Sequence, residues 1–169
     1  MLLLIILLFP SALAQSYTLE IFINDTPVPY LVETGSLDSD YVVLSFAGGK
    51  LELNLADWNT FDYAHVLATT FQKTARDTYT VSTTIRHNDT GWNNYADAFE
   101  VKGKAVLNGL RVLTHPHETE QPFTRSQSGV IAQGLVWIES KDNVEGSGGS
   151  KIHLDLSHSW FTNQNDISI

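Results

Sequence analysis

Residues 78–87 read TYTVSTTIRH, and the reading of this stretch decides the fold. Tyr79, Val81, Thr83 and Ile85 alternate with Thr80, Ser82, Thr84 and Arg86. A period of two puts successive side chains on opposite faces of an extended chain, so one face would be buried and the other wet. A helix would repeat apolar residues at spacings of three and four, and convincing periodicity of that kind is almost absent from the chain.

Outward from this stretch, Asn88-Asp89-Thr90-Gly91 reads as a turn and Tyr95 to Val101 as the return strand. Between Val106 and Leu113, Asn108-Gly109 supplies the positive φ angles of a type I′ turn and predicts a compact hairpin. Val130 to Ser140 is another strand region, with Val136 and Ile138 opposed to Trp137 and Glu139. Asp142 to Ser150 is a polar, Gly-rich loop. Beyond it, Ile152, Leu154 and Leu156 alternate with His153 and Asp155. Toward the N-terminus, Tyr41–Phe46 and Leu51–Leu55 flank Ala47-Gly48-Gly49-Lys50, a hairpin signal. Tyr17 to Ile23 is a strand that runs into the turn-prone Asn24-Asp25-Thr26-Pro27. Residues 56–73 suit a short helix or irregular chain over the core, with a strand from His65 onward. Several short strands with regular turn signals imply an all-β domain, a sandwich of the immunoglobulin or fibronectin kind. The paired cysteines of immunoglobulin domains are absent, so the likeness concerns architecture only.

The N-terminus reads MLLLIILLFPSALA. Its apolar run is much shorter than the roughly 20 residues that span a bilayer. Pro10 and the small residues that follow fit a signal peptide over residues 1–14, cleaved after Ala14 to leave Gln15 first. Residues 15–160 would form one secreted β-sandwich domain, with a weak boundary near 74–78, and residues 161–169 a polar, frayed tail. No later segment is apolar enough to span a membrane. The expected location is secreted or periplasmic.

The 169-residue chain holds 19 Asp and Glu against 10 Lys and Arg, a net charge of −9, and no cysteine. Nucleic acid is an improbable partner for so acidic a surface, because phosphates require Lys and Arg. Without cysteine there is no thiol catalysis, thiolate metal site or disulfide scaffold.

Several motifs fall together between residues 85 and 149. They are Arg86-His87-Asn88-Asp89-Thr90-Gly91-Trp92, Tyr95-Ala96-Asp97-Ala98-Phe99-Glu100-Val101 and Arg111-Val112-Leu113. His115-Pro116-His117, Glu120-Gln121-Pro122-Phe123-Thr124-Arg125-Ser126, Ser128-Gly129-Val130 and Asp142–Gly149 follow. This pattern resembles an uncharacterised family of small secreted bacterial and archaeal β-domain proteins. The resemblance implies a real domain and brings no activity with it. The family pattern has His where Glu145 stands here, which leaves a histidine site incomplete.

Candidate chemistry centres on the same region. His115 and His117, at i and i+2, would share one face of a strand, and His87 would lie on a neighbouring strand. Three neutral imidazoles suit zinc or copper, with Glu118, Glu120 or Asp97 completing or orienting the set. The competing reading is that these histidines pin turns by hydrogen bonding, and Pro116 argues against a regular strand there. A histidine brace is rejected, because the expected mature terminus is Gln15 and not His. Arg125 would pair with Asp97 or Glu100, and Phe123 would plug the sandwich end. Trp92, Tyr95 and Phe99, with Trp58, Tyr63 and Trp137, would form a sugar-stacking platform or simply core and cross-strand pairs. Asp142, Asn143 and Glu145 are explained by turn chemistry at least as well as by calcium. No nucleophile elbow, phosphate loop or nucleotide fingerprint is present. The leading expectation is a non-enzymatic binding or envelope module with Trp92, Tyr95, Asp97, Phe123 and Arg125 on its binding surface. A metalloprotein built on His87, His115 and His117 and a carbohydrate-binding module are the alternatives.

Overall fold

The computed structural model describes residues 7–11, 14–18, 20–35, 40–162 and 166–169. The chain is all-β, and among the described residues all strand pairing is antiparallel and there is one four-residue helical turn. A short ribbon of β1 (Leu7–Ser11) and β2 (Ala14–Thr18) pairs only with itself. The expected signal peptide overlaps this ribbon, and its residues 1–6, 12 and 13 lie outside the described residues. A second ribbon, β3 (Ile21–Ile23) and β4 (Thr26–Val28), turns through Asn24 and Asp25 at φ 48° and 62°. Both angles lie in the left-handed region that Asn and Asp tolerate best among non-glycine residues.

The remaining strands build a sandwich. They are β5 (Leu31–Thr34), β6 (Tyr41–Phe46), β7 (Gly49–Asn54), β8 (His65–Ala75), β9 (Thr78–Arg86) and β10 (Ala96–Gly103). Then come β11 (Leu110–Val112), β12 (Phe123–Ile131), β13 (Leu135–Asp142), β14 (Lys151–Asp155), the helical turn α1 (Ser159–Thr162) and β15 (Asp166–Ser168). One sheet runs β11-β10-β13-β14-β7-β6-β5 and the other β12-β9-β8-β15. Val42, Leu44, Leu51, Leu53, Val136, Ile138, Ile152 and Leu154 of the first sheet meet Val66, Phe71, Val81, Val130 and Ile167 of the second in one core. Burying apolar surface between two sheets is what stabilises such a domain without disulfides, at about 25 cal/mol per Å². A smaller cluster of Ala64, Ile85, Ala96, Phe99, Leu113 and Phe123 lies beside it. Among the described residues no helix is long and apolar enough to cross a membrane.

The alternation in β9 appears as expected: Tyr79, Val81, Thr83 and Ile85 are buried, and Thr80, Ser82, Thr84 and Arg86 are not. On the outer side Ser82 and Thr84 hydrogen bond across to Ser126 (2.7 Å) and Thr124 (2.8 Å) of β12. Four expectations give way. Ala96–Gly103 is no return strand for β9; it crosses to the other sheet and pairs with β11 and β13. The Asn108-Gly109 hairpin does not close on itself. Asn108 has the expected positive φ of 58°, but its amide donates to the Ser128 and Gly129 carbonyls, while Leu107 bridges Ile131. Residues 74–78 are no boundary but the tip of the β8–β9 hairpin. Of the tail expected to fray, residues 163–165 lie outside the described residues, while residues 166–169 are held, because β15 pairs with β8 and buries Ile167 and Ile169.

Candidate functional site

Several chain segments meet at one end of the sandwich: residues 56–64 before β8, 87–95 after β9, 113–122 before β12, and 143–149 between β13 and β14. The loops between them carry many polar backbone groups, and buried groups of that kind need partners. Two buried carboxylates accept four of the amides here.

The first is Asp89. Its Oδ1 lies 2.6 Å from His87 Nδ1 and accepts the Ala96 amide at 3.1 Å, while Oδ2 accepts the His117 amide at 2.6 Å. One side chain therefore ties the end of β9, the start of β10 and the segment before β12. His87 Nε2 faces the Asp62 carbonyl at 3.0 Å. A carbonyl and an ionised carboxylate can only accept, so both His87 nitrogens must carry protons and the ring is an imidazolium. Burial alone would push this imidazole down, but the Asp89 hydrogen bond and charge outweigh it and hold the group above its ordinary value. Asp89 lies below the ordinary carboxylate range, because its bonds to His87 and to two amides overcome the opposing effect of burial. Gln121 adds a strap, accepting the His87 amide at 3.1 Å and donating to the His117 carbonyl at 3.2 Å.

The second is Asp57. It accepts the Thr60 hydroxyl (2.6 Å), the Asp62 amide (3.0 Å), the Tyr63 amide (2.7 Å) and His65 Nε2 (2.8 Å). On the far side of the same ring, His65 Nδ1 receives the Ser150 amide at 3.1 Å and sits 3.0 Å from Ser150 Oγ. A nitrogen that accepts an N–H carries no proton, so His65 is neutral with its proton on Nε2. Burial pushes this imidazole down and the Asp57 contact only partly opposes that. Asp, His and Ser thus stand in line as in a hydrolase triad, but with the ring reversed: the carboxylate takes Nε2 and the hydroxyl Nδ1. Ser150 Oγ also accepts the Asn54 amide at 3.1 Å, and Ser150 is buried. The set is a lock between loops, not an exposed nucleophile. Gly148 and Gly149 make the lock possible, since a Cβ on either would overlap the Tyr63 ring or the Ala64 carbonyl.

The structure brings His87, His115 and His117 to the same end of the sandwich, His87 and His117 both at Asp89, but not onto neighbouring strand faces. Both His87 ring nitrogens face protein acceptors, Asp89 on one side and the Asp62 carbonyl on the other. His115 and His117 lie in irregular chain, one exposed and the other buried, instead of sharing one face of a strand. Their rings meet at a tilt of 37° with centroids 4.4 Å apart, and His117 stacks on Phe123 at 3.8 Å. Neither His117 nitrogen is hydrogen bonded to the protein, and its Nδ1 is 3.8 Å from Asp89 Oδ2. Among the described residues no group of three or more His, Asp or Glu is arranged to hold a metal ion. Phe123 is buried at the sandwich end. Arg125 pairs with Glu120 at 3.0 Å and lies over the Phe123 ring, instead of reaching Asp97 or Glu100. Those two carboxylates belong to the other sheet, where they face Lys141 (3.7 Å) and Lys102 (3.6 Å). Trp92 is 66% exposed and meets Tyr95 edge to face. Asn143 holds their loop by accepting the Tyr95 amide and donating to the Trp92 carbonyl. The wider aromatic platform does not assemble, because Trp58 and Phe99 are buried in the interior. Asp142 Oδ1 accepts the Val144 and Glu145 amides, as turn chemistry requires.

Between these loops lies a polar cleft of about 450 Å³, with Asn59, Arg86, Asn88, Glu118 and Gln121 on its walls. Arg86 lies over the Phe61 ring. Among the described residues neither Arg86 nor Glu118 has an ion-pair partner. Sequence reasoning missed Asp57, His65 and Ser150 entirely. The one available signal was Asp57 preceding Thr60 by three positions, a spacing common where a side chain closes a turn.

No protein-family model matches the chain, and no solved structure matches it. It is 34% identical over 95 residues to a protein of Halomicrobium mukohataei described as "Putative lipoprotein". The match covers 54% of this chain and 47% of that protein, so the chain spans about half the length of the relative it matches.

Proposed function

We propose that this chain is a non-catalytic, exported binding module of the cell envelope, with the loop-built end of its sandwich as the working surface. The observation that carries this reading is the Asp89 carboxylate, which joins three segments and fixes the walls of a polar cleft. The buried His87 and Asp89 satisfy one another, whereas among the described residues Arg86 and Glu118 at the rim form no ion pair. A rigid frame with unpaired charge at its mouth suits recognition of a polar ligand, because little ordering entropy is lost on binding. Trp92, exposed on the 87–95 loop at the same end of the sandwich, adds the kind of aromatic anchor that interfaces favour. The envelope location is supported by the apolar N-terminal stretch ending in small residues and by the similarity to the Halomicrobium protein. The closed geometry around Ser150 supports a binding role over hydrolysis.

Two experiments test the reading together. Cell fractionation with N-terminal sequencing should find the chain outside the cytosol, beginning at Gln15. A cytosolic chain that keeps residues 1–14 would overturn the location. A photo-crosslinking side chain at Glu118 should trap a partner or ligand in living cells, whereas one at Thr80, on the outer face of β9, should not. Equal yields from the two positions would overturn the working surface.

A further inference from the structure

A second surface, away from the loop-built end, lies on the outer face of the seven-stranded sheet. Strand register places Lys102, Trp137, His153 and Lys50 directly opposite one another in a single cross-strand row, continued by Ser45. With neighbouring strands about 4.8 Å apart, the row from Lys102 to Lys50 spans about 14 Å. Trp137 and His153 are near-parallel, at 21° with centroids 6.2 Å apart, so two ring systems stand side by side between two ammonium groups.

A parallel row of acids runs alongside. Glu139 takes Lys102 at 2.5 Å and Lys151 at 3.1 Å; Glu52 takes Lys50 and His153, each at 3.3 Å; Glu100 stands 3.6 Å from Lys102. Glu52, Glu100 and Glu139 thus compensate Lys50, Lys102 and Lys151 within the face. Such a surface exerts little net field on a polyanion, and the chain's charge of −9 opposes one. It still offers donors and acceptors in alternation around aromatic rings. Two clefts adjoin, and Trp137 is a wall of both: one of about 750 Å³ toward Lys50 and Asp155, the other of about 540 Å³ toward Lys102 and Leu110.

We infer that this face binds a neutral polysaccharide, with Trp137 as the stacking platform and a cleft on either side for the adjoining sugar units. The C–H face of a pyranose ring is apolar and flat and packs on an aromatic ring. Its hydroxyls both donate and accept, which matches ammonium and carboxylate groups set alternately around the platform. A protein partner would instead favour a contiguous apolar patch with charge depleted at its centre; Leu31, Leu110 and Leu135 are exposed along this sheet, but Lys50, Lys102, Lys151, Glu52 and Glu139 occupy the centre of the face beside the rings. The proposal does not depend on the loop-built end, so either surface can fail without the other.

The test is native affinity electrophoresis of the purified protein in gels that contain a soluble glucan, mannan, galactan or xylan, beside a gel that contains alginate. Retardation by at least one neutral polymer is expected, with tryptophan fluorescence shifting as that polymer is titrated. Trp137→Ala should weaken the interaction by about tenfold or more, in line with loss of an aromatic contact. Thr80→Ala, on the outer face of the opposite sheet, should leave it unchanged. Lys50→Ala, at a more exposed position, should weaken it while the far-ultraviolet spectrum stays that of the parent, which covers the case of Trp137→Ala failing to fold. Absence of retardation by every neutral polymer, retardation by alginate alone, or equal retardation of the parent and both face variants would overturn the proposal.

Discussion

His87 Nδ1 lies 2.6 Å from Asp89 Oδ1, and both side chains are sealed from solvent. The same carboxylate holds the amides of Ala96 and His117, so one buried ion pair sets the positions of three segments. A short distance away, the Asp57–His65 pair, at 2.8 Å, contains a neutral ring. The difference comes from the third partner. A carbonyl behind His87 demands a proton, and an amide behind His65 supplies one.

Removing Asp89 should therefore be costly. Asp89→Ala strands a buried imidazolium and two amides, and breaking a buried pair from one side typically costs about 3–5 kcal/mol. Asp97→Asn, whose ion pair with Lys141 is partly exposed, should cost about 1 kcal/mol or less. Urea unfolding of the two variants against the parent checks the contrast.

The Ser150 lock should behave as structure. Ser150→Ala removes the hydroxyl that accepts the Asn54 amide, and leaving a buried donor unpaired costs about 1–3 kcal/mol. Gly149→Ala should cost more, because the added Cβ meets the Ala64 carbonyl and the backbone must move. Thermal unfolding should rank the parent first, Ser150→Ala second and Gly149→Ala last.

The two histidines should give opposite pH signatures. His87 lies above its ordinary 6.5, so its contribution is complete below about pH 6.5 and fades as pH rises through the raised value. Asp89 lies below its ordinary 3.8, so its contribution is complete above that pH and is lost only as pH falls through the lowered value. His65 lies below 6.5, so its contribution is present above that pH and is lost on acidification through the lowered value. In unfolding free energy measured across this range, the deficit of His87→Gln should shrink toward alkaline pH, and that of His65→Gln should shrink toward acid pH.

The C-terminal strand should be needed for stability. Ending the chain after residue 165 takes from β8 its β15 partner and removes Ile167 and Ile169 from the core, each buried isoleucine contributing about 1.5–3 kcal/mol. The truncated protein should melt well below the parent in a calorimetric scan.

Most strands were legible because alternation marks which face of a strand is buried, as in Thr78–Arg86 and Lys151–Asp155. Alternation does not say which strand lies alongside. Ala96–Gly103 follows β9 after a turn, yet it joins the other sheet, with Asp89 accepting the Ala96 amide where the chain crosses. Asn108 takes its expected positive φ, but its side chain is drawn to β12. At the site, His87, His115 and His117 were visible as a group, while their partners were not. His65 and Ser150 meet across 85 positions, and no local pattern encodes such a contact. Ile167 and Ile169 sit at alternate positions within a short polar tail, a signal too brief to set against its surroundings.

The central claim is that buried His–Asp locks hold the end loops, with His87 charged and His65 neutral. Long-range nitrogen–proton correlation NMR of the imidazole rings near pH 7 tests it most directly. The account predicts protons on both His87 nitrogens, a proton on Nε2 alone in His65, and no movement of His87 signals when zinc is added. A neutral His87 ring, or His87 signals that shift with zinc, would contradict it.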